Sequence, residues 1–113
     1  MEPRLRLLFV ADTAFSPTGG GVVSAQRTIA RLRRVHDVAV VAADAAGPPD
    51  VRLPGFVLPL RRMRRSGFVM ARPNRAALHR ALARADVVHL QLPFWLSFAA
   101  LAEARRLRVP VVA

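Results

Sequence analysis

Apolar positions along this chain fall into two alternating rhythms. Leu7, Leu8, Phe9, Val10 and Ala11 form an unbroken run, the pattern of a strand covered on both faces. Asp12 ends it, and Thr13 to Thr18 form a loop. After Gly19, Gly20 and Gly21 the spacing changes, with Val22, Ala25, Ile29 and Leu32 recurring on one helical stripe. That helix is predicted from about Gly21 to Val35. Arg27, Arg31, Arg33 and Arg34 lie on its wet side, and the later ones suit the negative end of the helix dipole.

Val38 to Ala43 is a second apolar strand, ended by Asp44. Gly47, Pro48, Pro49 and Pro54 mark Ala45 to Pro54 as a loop. Phe56 to Leu58 reads as a short third strand, stopped by Pro59. Pro73 suits the first turn of a helix whose stripe is Leu78, Ala81, Leu82 and Ala85, with His79 on the exposed side. Val87 to Leu92 is a fourth strand, closed by Pro93. Leu96, Ala100, Ala104 and Leu107 stripe a further helix, and Val109 to Ala113 open a fifth strand. Buried strands alternating with amphipathic helices imply an α/β fold: a Rossmann-like parallel sheet with helices on both faces and right-handed crossovers. A chain that stops inside an apolar strand is expected to be the front of a longer polypeptide.

Composition narrows the class. The 113 residues suffice for one small domain with a core, and 53% apolar content excludes a disordered chain. No apolar run approaches the ~18 residues of a membrane-spanning helix. The start, with Arg4 and Arg6 before Leu7, is too short and is interrupted too soon by Asp12 for a signal peptide. The cytoplasm is therefore the expected compartment. There is no cysteine, so disulfides and thiolate metal sites are excluded.

The net charge is +11, and all 18 basic residues are arginine. Total absence of lysine suggests a coding bias, so the charge has two readings: a solvated surface, or an anionic partner. Arg61, Arg62, Arg64 and Arg65 form the densest run. They read either as a solvated loop or short helix, or as a contact with anionic headgroups in which Met63, Phe68 and Met70 enter the interface.

Ligands of open parallel sheets bind beyond the carboxyl ends of the strands. Three segments reach that edge with polar or small residues: Asp12 to Gly21, Asp44, and His89, Gln91, Pro93, Phe94 and Trp95. A helix that begins after three glycines offers unpaired N–H groups with no side chain to block an anion, which marks Gly19, Gly20 and Gly21 for a phosphate. Val87, His89 and Gln91 point to one face of their strand and Val88, Leu90 and Leu92 to the other. His89 reads as a hydrogen-bonded core histidine or a ligand contact, and Gln91 as the better ligand-facing candidate. Phe94 and Trp95 either cap the core or form an apolar platform.

Several chemistries fail. A Walker A loop needs a lysine that is absent, and adjacent glycines after a long loop do not make a dinucleotide fingerprint. A half of a nucleotide-dependent oxidoreductase is disfavoured for that reason. Asp44 stands where a ribose-binding acid would, which alone is weak. No paired-histidine metal motif and no nucleophile elbow is present. One tryptophan and no tyrosine give poor support for stacking nucleic acid.

Taken in order, four stretches resemble the opening of retaining glycosyltransferases of the family-4 type. They are Leu8-Phe9-Val10-Ala11-Asp12 with Pro17 and Gly20-Gly21-Val22-Val23-Ser24, then Arg34-Val35-His36-Asp37-Val38. Ala85-Asp86-Val87-Val88-His89-Leu90-Gln91-Leu92-Pro93-Phe94 and Arg105-Arg106-Leu107-Arg108-Val109-Pro110-Val111-Val112-Ala113 follow. Each motif is moderately specific alone, and the ordered set is stronger. The resemblance implies a GT-B fold, of which residues 1–113 would be part of the amino-terminal, acceptor-side domain. The donor-binding domain would lie beyond Ala113, and this stretch alone would not transfer sugar.

The resemblance further implies a hexosyltransferase that moves a sugar from a nucleotide-sugar donor to an acceptor. Gly19, Gly20 and Gly21 would approach the donor diphosphate. Asp12, His89, Gln91, Phe94 and Trp95 would line the acceptor side. No catalytic residue, metal or cofactor is assigned, the nucleotide-sugar being a substrate. The Gln91-Leu92-Pro93-Phe94 run is similar to members that glycosylate diacylglycerol, which would place the protein peripherally on the inner membrane face. The alternative is a non-catalytic Rossmann-like module for anionic membranes or phosphate ligands. Val35 and Arg108 replace the family's usual glycines at two helix ends, where a left-handed cap is expected.

Overall fold

The computed structural model of the chain describes residues 3–15, 19–66, 69–91 and 94–113, the side chains of Met63 and Ser66 excepted. The expectations for Met63, Pro17, Phe68 and Pro93 lie outside that description.

Strand β1, Arg6–Val10, is the centre. It pairs in parallel with β2, Asp37–Ala42, on one edge and with β6, Val87–Leu90, on the other. Phe9 and Val10 are wholly buried. Two further strands extend the sheet, β3 (Val51–Arg52) beyond β2 and β7 (Val111–Val112) beyond β6. The sheet has five strands, ordered β3-β2-β1-β6-β7, all parallel. This is a Rossmann-like arrangement, with chain reversals on either side of β1.

Alternation sorts the strand side chains into two cores. Phe9, Ala11, Val38, Val40 and Ala42 face helix α1 (Gly19–Arg33), which lays Ala25 and Ile29 on them. Leu8, Val10, Val41, Val88 and Leu90 face the other way. There Leu78 and Leu82 of α3 (Arg75–Ala83) and Leu96, Ala100 and Ala104 of α4 (Trp95–Leu107) cover them. Burying each such leucine contributes about 1.5–3 kcal/mol. The expected helices on both faces are present.

The third strand needs correction. Phe56 to Leu58 does not enter the parallel sheet, whose fifth member comes from within the predicted loop. Asp50 explains the difference: its carboxylate accepts from Val40 N at 2.8 Å and holds Val51 in register with Val41. Leu53 N then donates to Ala42 O at 3.0 Å. Two residues between prolines are too few for any periodicity to show. Gly55–Phe56 (β4) instead pairs antiparallel with Met70–Ala71 (β5), and Arg61–Ser66 (α2) lies between them. Gly55 is required at this close approach, since a Cβ there would meet the Val69 side chain at 2.5 Å.

Helix ends also differ from expectation. Pro73 is not in the first turn of α3. Asn74 caps that helix, its side chain accepting from Ala77 N at 3.1 Å, and Pro73 precedes the cap. Of the two positions expected to be left-handed, Arg108 is (φ 57°) and Val35 is not. Val109 N donates to Ala104 O at 2.9 Å and Arg108 N to Arg105 O at 3.3 Å, a Schellman closure of α4.

A side chain held left-handed costs roughly 1–2 kcal/mol, which glycine avoids. Arg108→Gly is expected to stabilise the chain by about 1 kcal/mol and raise Tm by about 4–8 °C. Val35→Gly should lower it. Thermal unfolding of both variants checks the pair, and a stabilising Val35→Gly would contradict the backbone assignment.

Candidate functional site

The carboxyl ends of β1, β2 and β6 meet at one edge, fastened by backbone bonds. Ala43 N donates to Asp12 O at 2.8 Å, and Gln91 N donates to Val10 O at 3.0 Å. The edge therefore carries Asp12, Thr13, Asp44 and Gln91 together. The α1 helix begins here too, with Gly19, Gly20 and Gly21 as its first residues. Its first turn presents backbone N–H groups and the positive end of the dipole. Asp44 does not stand as a ribose acid would: its carboxylate accepts from Ala14 N at 3.0 Å and Phe15 N at 2.7 Å, fixing the chain that leads toward α1.

His89 sits beside Phe9, its register partner, on the α1 side of the sheet. The two rings stack with centroids 4.8 Å apart and planes 7° apart. In its Nε2–H tautomer, His89 donates to Gln91 Oε1 at 3.3 Å. That leaves the amide NH2 of Gln91 without a partner among the described residues. His89 is half-buried rather than sealed in the core.

Asp12 lies deeper. It is fully buried, and its Oδ2 accepts from Ala71 N at 2.8 Å. Thr13 Oγ1 donates to Val69 O at 2.8 Å. The end of β1 thus grips β5 and the residue before it. Asp12 Oδ1 and Ser97 Oγ are the two buried side-chain oxygens without a partner among the described residues. Burial pushes the Asp12 carboxyl above the ordinary 3.8, against the opposing pull of the Ala71 amide. At the other end of the sheet, Asp86 is held below that value by the backbone N–H and the guanidinium of Arg6.

Phe94 caps α4 in extended backbone, its carbonyl accepting from Phe98 N at 3.1 Å. Trp95 turns outward and packs edge-on against Phe56, centroids 6.3 Å apart. The guanidinium of Arg72 stands 5.0 Å over the same ring. Arg61, Arg62, Arg64 and Arg65 lie exposed on α2. Phe56 and Arg72 were not marked by the sequence, because no spacing rule links a hairpin residue to the start of a helix about 40 positions later.

His79 is exposed as expected, but it is not idle. Its Nδ1 lies 2.8 Å from Oε1 of the buried Glu103, whose other oxygen meets Arg75 at 3.4 Å, so α3 and α4 are cross-linked. Glu103 interrupts the apolar stripe of α4 and could have been read as a buried pair. A groove of about 490 Å3 opens at the opposite, amino edge of the sheet, lined by Ala39, Val51, Ala77 and Ala81. None of the candidate site residues named from the sequence lines it. No group of three metal-ligating side chains comes together among the described residues.

A five-stranded parallel sheet with helices on both faces, and a glycine-started helix at its carboxyl edge, defines a Rossmann-like α/β domain. The chain belongs to glycosyltransferase family 4, whose family model matches residues 18–113. Its fold fits the amino-terminal half of a GT-B enzyme. The match takes in the three glycines, α2, His89, Gln91, Phe94 and Trp95, and begins after Asp12. No curated protein matches the chain significantly.

Asp12 sets a testable pH dependence. A carboxyl whose folded pKa is raised stabilises the fold fully below 3.8, and that contribution is lost as pH rises through the raised value. Asp12→Asn keeps an acceptor for Ala71 N and removes the charge. The variant is expected to match the parent near pH 3 and to exceed it at pH 7. Urea midpoints across that range provide the check, and parallel pH profiles would exclude Asp12 as the source.

Proposed function

We propose that this chain forms the acceptor-side domain of a glycosyltransferase that moves a hexose from a nucleotide-sugar to a membrane lipid. The first turn of α1 carries the reading. Three glycines weaken a helix start, each by roughly 0.5–1 kcal/mol relative to alanine in a helix interior. What they supply is close approach: a diphosphate can reach N–H groups at the positive end of a 15-residue helix. No lysine is available to do the same with a side chain.

Across the edge, the amide NH2 of Gln91 donates to an acceptor hydroxyl, and the Phe9–His89–Gln91 chain of contacts fixes its direction. Phe94 and Trp95 give the acceptor an apolar side. Asp12 supports this wall from behind by holding β5. The nucleotide-sugar is the substrate, and the chemistry asked of this domain is binding and orientation. The exposed arginines of α2 meet anionic headgroups, so the protein works peripherally on the inner face of a membrane, where its lipid acceptor lies. No described helix is long and apolar enough to cross a membrane. The alternative, a non-catalytic module, would use the same arginines on anionic membranes, or the glycine turn on a phosphate ligand with no sugar to transfer.

Gly20→Ala separates these readings. Alanine favours the helix, so thermal stability should hold or rise. The added methyl group stands where the diphosphate approaches, so affinity for nucleotide-sugar should fall about tenfold, or ~1.4 kcal/mol. Titration of the full-length product against a panel of nucleotide-sugars, followed by the same series on the variant, measures both. Absence of nucleotide-sugar binding in the parent would remove the transfer reading.

A further inference from the structure

We propose that the exposed apolar side chains Trp95 and Phe98 of α4, the first packed edge-on against Phe56 of β4, form an apolar anchor that docks this chain on an anionic lipid bilayer. The inference rests on the membrane part of the reading above and adds what holds the protein there.

The first observation is a segregation of charge. Val51 to Ala85 contains nine of the 18 arginines and no acidic residue. Outside that stretch, four of the seven acids form ion pairs among the described residues: Asp37, Asp50, Asp86 and Glu103. Of the nine arginines, Arg75 alone does so among the described residues. A coding bias explains how many arginines the chain has. It does not explain why one continuous third of the chain excludes every acid. Within it Arg61, Arg62, Arg64 and Arg65 stand together and exposed on α2 with no ion-pair partner among the described residues, so that helix carries an uncompensated positive field.

The second observation is apolar. Trp95 is 55% exposed and Phe98 61%, and they lie one turn apart on the same face of α4. Trp95 touches Phe56, and Arg72 covers the other ring contact. Along the chain the patch continues through Val57 (44% exposed) and Leu60 (59%) to Arg61. Single exposed apolar residues are ordinary, but an exposed Trp-Phe pair one turn apart on α4, together with an exposed Leu60 that leads directly into the arginines of α2, is not. A soluble anion would satisfy the guanidinium groups and leave these side chains in water. A bilayer satisfies both, with arginines at the headgroups and Trp95, Phe98 and Leu60 at the acyl boundary.

Trp95 is the sole tryptophan and the chain has no tyrosine, so its emission reports this patch directly. The 113-residue chain is mixed with phosphatidylcholine vesicles, with and without phosphatidylglycerol. With phosphatidylglycerol, cosedimentation, a blue shift of emission and quenching by acyl-brominated lipid are expected. Phe98→Ser should weaken binding about fivefold with an unchanged circular dichroism spectrum. Changing Arg61, Arg62, Arg64 and Arg65 to Ala should abolish it. Cosedimentation without a blue shift would overturn the anchor and leave the arginine contact standing. No cosedimentation would overturn both. A blue shift without lipid that grows with protein concentration would instead assign the patch to a second copy, and one induced by RNA would assign it to nucleic acid. Either would overturn the proposal.

Discussion

Strand β1 is paired on both edges and covered on both faces, and that double enclosure dictates where every other element goes. Phe9 and Val10 expose nothing to solvent. Their alternation assigns α1 to one side and α3 with α4 to the other. Right-handed crossovers then leave each connection little choice of position. The carboxyl end of the same strand is where the enclosure stops, because the neighbouring strands end there too. The edge residues become available to a ligand for the reason that the core residues do not.

At that end a buried carboxylate takes over from apolar packing. Asp12 continues the side of Leu8 and Val10, yet it binds an amide of β5 with one oxygen and leaves the other without a partner. Burial of an incompletely paired carboxyl opposes folding. What it fastens is the β4–α2–β5 excursion, whose two strands of two residues each could not stand alone. Thr13 adds a second tie one residue later. The excursion is thus coupled to the sheet edge at few points and carries little regular structure. Regions of that kind open more readily than the core that supports them.

This division explains what the sequence disclosed. Long periodic segments were legible: β1, α1, β2, α3, β6 and α4 each follow from spacing, with ends shifted by a residue or two. Residues 51–52 were not legible as a strand. Their membership depends on a bond from Asp50 to Val40, a tertiary event that no local pattern encodes. Phe56 had the right composition for a strand but the wrong partner, since Gly55 lets it approach β5 instead. At the site, the glycine turn and the His89–Gln91 pair could be named because motif and alternation are local properties. The burial of Asp12, the capping task of Asp44 and the meeting of Phe56 with Trp95 are set by contacts across the fold. The left-handed Arg108 was expected from the resemblance, which puts glycine at that helix end, and the same resemblance marked Val35. Val35 follows a helix that closes without a left-handed residue.

On the proposed reading, two different solutions to binding anions coexist in this chain. At the start of α1 the donors are backbone N–H groups aligned by the helix, with glycines that keep side chains away. On α2 they are guanidinium groups on long, exposed side chains. The first arrangement is stiff and suits a small ligand that must be placed to within a fraction of an ångström, as a transferring group must. The second is adaptable and suits a surface that varies from place to place. On that reading the two respond to separate partners, with Asp12 and Thr13 tying the β4–α2–β5 excursion to the end of β1. A lipid acceptor would need both at once, one to hold the plane of the membrane and one to bring a donor to it.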